Sequence, residues 1–217
     1  SPMPRLTILS LALLLAGCAA QLRPAPEASL VPGQPGAARA TADGVTVTAQ
    51  ARAWRGRPPG LEMHVTPVLI TIDNGSRVPV RVRYADFALV DAGGRRFAAR
   101  GPFEVRGAVA EPLPLYAFPR GPFLVRDIAG RPVLVDPFWY DPFYLDFPRY
   151  RWVDLPTGDM VQLALPEKVV EPGARVSGFV YFEPLERAAS PLTLTVRLVD
   201  DRRGEPFATA AIPFVLK

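Results

Sequence analysis

Prolines occupy 26 of the 217 positions, and they exclude a fold built on long helices. Each one removes a backbone donor and fixes φ, so the chain must be assembled from short elements joined by turns. Between the prolines the residues alternate with a period of two. Val45 and Val47 alternate with Thr46 and Thr48. Val68, Ile70 and Ile72 alternate with Leu69 and Thr71. Val80 and Val82 alternate with Arg81 and Arg83, and Leu192, Leu194, Val196 and Leu198 with Thr193, Thr195 and Arg197. Such alternation places apolar side chains on one face of a strand and polar ones on the other.

Turn residues punctuate these runs. Asn74-Gly75 predicts a strand, a tight turn and a strand ending near Tyr84. Asp91 to Gly94 predicts a second hairpin that returns through Phe97. Near the end, Asp200 to Glu205 is a polar turn, and Phe207 to Leu216 reads as a last strand in which Pro213 marks an edge or a strand end. One short helix is predicted, capped by Thr157, with Asp159 in its first turn, Met160, Leu163 and Ala164 on one face, and Pro166 as its stop. The expected fold is mainly β: an antiparallel sandwich whose core includes Val68, Ile70, Ile72, Val80, Val82, Leu194, Val196 and Leu198.

The N-terminal residues carry an address. Arg5 precedes an apolar run from Leu6 to Ala16, much shorter than the ~20 residues that span a bilayer. It fits the hydrophobic region of a secretory signal. Leu15-Ala16-Gly17-Cys18 ends it, and Cys18 is the only cysteine, so no disulfide framework can form. This ending resembles the bacterial lipobox. The resemblance implies cleavage before Cys18, acyl chains such as palmitate on that residue, and, with Ala19 next to it, transfer to the outer membrane. Residues 1–17 are then a signal peptide. Residues 18–43, rich in Ala, Pro, Gly and Gln, read as a lipidated flexible tether spanning ~25–30 Å. Residues 44–217 read as the folded domain.

An insertion, residues 101–156, interrupts the strand pattern with prolines and little alternation. Eight of the chain's 21 aromatic residues fall between Asp136 and Trp152, where Asp136-Pro137-Phe138 is echoed by Asp141-Pro142-Phe143. Packing over an end of the sandwich, a recognition surface for a protein or glycan, and insertion among lipid headgroups all suit such rings. Trp139, Tyr140 and Tyr144 are the candidate binding residues.

Catalytic signals are sparse. His64 is the only histidine, no G-x-S-x-G elbow occurs, and one His with a committed Cys cannot assemble a usual zinc site. Asp136, Asp141 and Asp146 are too widely spaced for a calcium loop. Glu104, Glu111, Asp127, Asp154 and Glu171 are carboxylates of the right type for hydrolysis, with nothing to single out a pair. No metal or cofactor is expected. The formal charge of +4 comes almost wholly from scattered arginines, which is not the clustered stripe that nucleic acid requires.

Val170-Glu171-Pro172-Gly173 followed by Val176 to Phe182 resembles bacterial immunoglobulin-like lipoprotein domains, in which a Pro-Gly turn leads into a strand with Gly, apolar and aromatic residues. Pro67 to Asn74, Val80 to Val82 and Phe87 to Asp91 resemble the strands of the same domains. The resemblance covers roughly residues 44–100 and 165–216. It implies an immunoglobulin-like sandwich of the cell envelope. The expected function is a membrane-anchored, non-catalytic binding or accessory module, its partners a membrane and an envelope protein or glycan. A purely structural envelope component and an envelope hydrolase are the alternatives.

Overall fold

A computed structural model describes residues 21–112, 123–127, 129–135 and 150–217. They form antiparallel sheets and one short helix. The strands are β1 (Leu22–Pro24), β2 (Ser29–Leu30), β3 (Ala37–Ala42), β4 (Val45–Ala51), β5 (Thr66–Asn74), β6 (Val80–Val82), β7 (Phe87–Asp91), β8 (Arg96–Ala98), β9 (Gly107–Pro112), β10 (Phe123–Arg126), β11 (Pro132–Val135), β12 (Tyr150–Leu155), β13 (Lys168–Val170), β14 (Arg175–Phe182), β15 (Leu192–Asp200) and β16 (Pro206–Leu216). The helix α1 (Gly158–Gln162) lies between β12 and β13.

Two sheets face each other. One runs β14-β5-β4-β3-β2. The other runs β1-β16-β15-β6-β13, with β7 also on β15 and β8 on β7. Period-two alternation explains the pairing of faces. Val45, Val47, Ile70, Ile72 and Val180 from the first sheet meet Val80, Val82, Leu89, Leu194, Val196, Leu198 and Phe214 from the second in one buried cluster. All eight core residues expected from sequence are buried in it.

Asn74-Gly75 does not make the predicted hairpin. β5 pairs with β4 and β14, whereas β6 pairs with β13 and β15 in the opposite sheet. A type I′ turn needs positive φ at both central residues, and neither Asn74 nor Gly75 has it. Asn74 is buried instead. Its Nδ2 donates to Val78 O (2.9 Å) and Val170 O (2.8 Å), and its Oδ1 accepts from Ser76 N (3.0 Å). The side chain thus satisfies the backbone where the chain crosses between sheets. The positive-φ pair lies at Asp43 (45°) and Gly44 (81°), which close the β3–β4 hairpin.

That hairpin also overturns the tether over residues 21–43. β1 pairs with β16, β2 with β3, and β3 with β4, while Gln21 N donates to Lys217 O (2.8 Å) and Lys217 N to Gln21 O (3.0 Å). Alanines let this happen: Ala37 and Ala38 are small enough to be fully covered. Pro213 sits where β1 ends. Its carbonyl accepts from Ala25 N (3.0 Å), so its missing N–H would face the edge that β1 no longer pairs.

The described part of the insertion carries strands. β9 and β12 pair along their full lengths, and β10 and β11 form a hairpin, giving a third sheet in the order β11-β10-β12-β9. Among the described residues the hairpin joins β12 at Arg126 and Tyr150. Leu124 and Leu134, cross-strand neighbours on one face, are both exposed.

Candidate functional site

A second buried cluster joins the insertion to the sandwich. Trp54, Leu61, Val65, Val105, Val109, Leu155 and Met160 pack on Phe179 and Tyr181 of β14. Trp54 lies edge-on to Phe179 (centroids 5.2 Å apart, planes at 76°), and its Nε1 donates to Pro58 O (3.1 Å). The Tyr181 hydroxyl donates to Met160 O (2.8 Å), and burial pushes its pKa well up, with the nearby Tyr84 as a second cause. The predicted helix is present: Thr157 Oγ1 caps it by accepting from Met160 N (3.4 Å), and Met160 is the residue it buries.

Beside this cluster an open groove of about 620 Å³ runs between the Pro102–Glu104 turn and the Val161–Glu167 segment. Tyr84 lines it. Gly101 is required there, because a Cβ would lie 2.7 Å from Tyr84 Cε2. The Tyr84 hydroxyl donates to Leu165 O (2.6 Å), and the Tyr84 amide donates to Glu167 Oε1 (2.8 Å). Burial raises the Tyr84 pKa, and the carboxylates of Glu167 and Glu104 add to it. The exposed side chains of Phe103 and Val161 supply an apolar lip, and Glu104 and Glu167 supply negative charge.

The hydroxyls that line the groove are hydrogen-bonded within the fold. The Tyr84 proton is committed to a carbonyl, and Ser177 Oγ shares a hydrogen bond with Thr71 Oγ1 (2.8 Å). His64 is exposed at the end of the Leu61–Met63 turn. The five carboxylates that the sequence offers by type alone lie in different places. Glu104 is in the groove, Glu111 on β9 pairs with Arg151 (2.6 Å), Asp127 closes the β10–β11 turn with Arg131, Asp154 is on β12, and Glu171 precedes β14. Among the described residues no three His, Cys, Asp or Glu side chains could hold a metal ion together, and no helix is long and apolar enough to cross a membrane.

Cys18, Trp139, Tyr140 and Tyr144 lie outside the described residues. Tyr84, Phe103 and Glu167 carry no sequence signal, because the groove is assembled from segments far apart in the chain. No family model matches this sequence, and no curated protein or solved structure is similar to it.

Proposed function

We propose that this chain is a lipid-anchored lipoprotein of a bacterial envelope, acylated at Cys18, whose sandwich is immunoglobulin-like and acts as a non-catalytic binding or accessory module. The observation that carries this reading is the sequence Leu15-Ala16-Gly17-Cys18, which closes an apolar run of signal-peptide length with the only cysteine in the chain. The strand order supports the immunoglobulin-like reading. β5 lies beside β14 in one sheet, β7, β15 and β16 are neighbours in the other, and the chain changes sheets after β5 and again after β14. Immunoglobulin-type sandwiches pair strands B with E and C with F and G in this manner.

The groove between Phe103 and Glu167 supports a binding role, with Trp139, Tyr140 and Tyr144 as further contact residues for an envelope protein or glycan. Anchoring requires acyl chains, since each buried methylene contributes ~0.8 kcal/mol and a single chain holds only marginally. The test is the mass of the N-terminal peptide of protein recovered from membranes. Acyl chains on Cys18 are expected, and Cys18→Ser is expected to move the protein out of the membrane fraction. An unmodified Cys18 in the membrane-bound protein refutes the reading.

A further inference from the structure

We propose that the end of the sandwich at Gln21 docks directly on an anionic phospholipid surface. The proposal rests on the anchor at Cys18 and adds an orientation to it. Gln21 is already held in the fold by its two hydrogen bonds to Lys217. Three residues extend by at most ~3.6 Å each, so Cys18 lies within about 11 Å of Gln21. An acyl anchor there leaves no slack for the domain to stand off the headgroups.

The strand register identifies which end is brought down. Leu22 opposes Leu216, and Leu192 opposes both Phe214 and Asp91. The β1 start, the β16 end, the β7–β8 turn and the 183–191 loop therefore share one end. The 183–191 loop is tied to the β7–β8 turn by Ala92 N to Ala189 O (3.1 Å) and by Ala189 N to Asp91 Oδ2 (3.1 Å).

Charge distinguishes this end from the other. Arg23, Arg95, Arg96, Arg187 and Lys217 are all exposed on it. Its carboxylates offset little: Asp91 is turned inward onto the Ala189 and Arg95 amides, Glu183 pairs with Arg100, and Glu186 has no salt bridge among the described residues. At the opposite end Asp43, Asp73, Glu171, Asp200, Asp201 and Glu205 stand with Arg77, Arg175, Arg202 and Arg203, so carboxylates outnumber cations there. The Debye length at physiological ionic strength is ≈ 8 Å. A basic end held this close lies within reach of the negative potential of anionic lipids.

The test uses the acylated full chain in vesicles of phosphatidylcholine and phosphatidylglycerol that contain a nitroxide-headgroup lipid. Because Cys18 is blocked by its lipid, Ala92→Cys and Glu205→Cys each accept one fluorophore, at opposite ends. Strong quenching is expected at position 92 and little at 205. Quenching at 92 is expected to be lost in pure phosphatidylcholine, in 1 M salt where the Debye length is about 3 Å, and in the triple variant Arg95→Glu, Arg96→Glu, Arg187→Glu. Equal quenching at the two positions, or quenching at 92 that none of these changes reduces, overturns the docking. The N-terminal peptide mass from the same sample separates the two readings. An acylated Cys18 without the end-to-end difference overturns the docking alone, whereas an unmodified Cys18 overturns the anchor and the docking with it.

Discussion

Gly178→Ala in β14 is expected to loosen the groove and the sandwich together. Gly178 has no positive φ, so its role is not conformational. Its missing side chain makes room for the backbone of Ala164 and Leu165. A Cβ there would overlap Leu165 Cα and N and would come within 2.6 Å of the Ala164 carbonyl carbon. These are main-chain atoms, so no rotamer change relieves the clash. The Leu163–Leu165 segment is itself held to β14 by Leu165 N to Phe179 O (2.9 Å) and Phe179 N to Leu163 O (2.8 Å). Moving it aside strains both bonds, each contributing about 1 kcal/mol, and disturbs the fully buried Leu165 side chain. Overpacking adds ~1–3 kcal/mol, so a total loss of about 3–5 kcal/mol is expected. The Tyr84 hydroxyl loses its fixed acceptor at Leu165 in the same movement. Urea unfolding would show a lower midpoint with an unchanged slope, and hydrogen exchange would speed up at the Leu165 and Phe179 amides. A variant with the parent's midpoint and the parent's protection at those amides would refute the argument.

Two further outcomes follow from the core and from one carboxylate. Ile70→Ala removes a side chain with no exposed surface from the centre of β5 and is expected to cost ~2–5 kcal/mol in chemical denaturation; a loss below 1 kcal/mol would place that face elsewhere. The Ala189 amide, and after it the Arg95 and Gly93 amides and the Arg95 charge, hold the Asp91 carboxyl below the ordinary range. A depressed folded value means that the folded state binds fewer protons. The resulting stability is complete above the unfolded value of about 3.9 and is lost as pH falls through the folded value. Asp91→Asn is therefore expected to be less stable at neutral pH and to show a flatter acid limb in urea midpoints measured from pH 5 downward. Parallel acid limbs in parent and variant would contradict this.

The strands were legible wherever one face is buried and the other wet. Val45, Val47, Ile70, Ile72, Leu194 and Val196 alternate because one sheet face meets the core, and a register slip of one residue would expose them all. The same pattern does not say which strands are neighbours. Asn74-Gly75 reads as a hairpin turn and is not one, whereas Asp43-Gly44, placed by composition at the end of a tether, closes the β3–β4 hairpin. What decides the first is the acceptor at Val170, 96 residues away, which draws the Asn74 amide inward. No local rule can register a partner at that distance. The β10–β11 hairpin was within reach of sequence reasoning, since Phe123 to Arg126, a turn through Gly130, and Pro132 to Val135 carry strand and turn residues; the prolines around it masked the signal.

Residues 21–43 show why composition misleads about a tether. Pro24, Pro26, Pro32 and Pro35 with Gly33 and Gly36 predict flexibility for an isolated segment. In the folded chain the prolines fall between or at the ends of the strands, where no ladder donor is needed. Gly36 is fixed by a close approach, since a Cβ there would lie 2.9 Å from Ala51 O, and the alanines of β3 allow it to pack flat against β4. The segment covers the otherwise open edges of β16 and of the β4–β5 ladder, and covering an edge is a strong reason for order. The order of residues 21–43 is therefore set by the strand edges they cover and not by their composition.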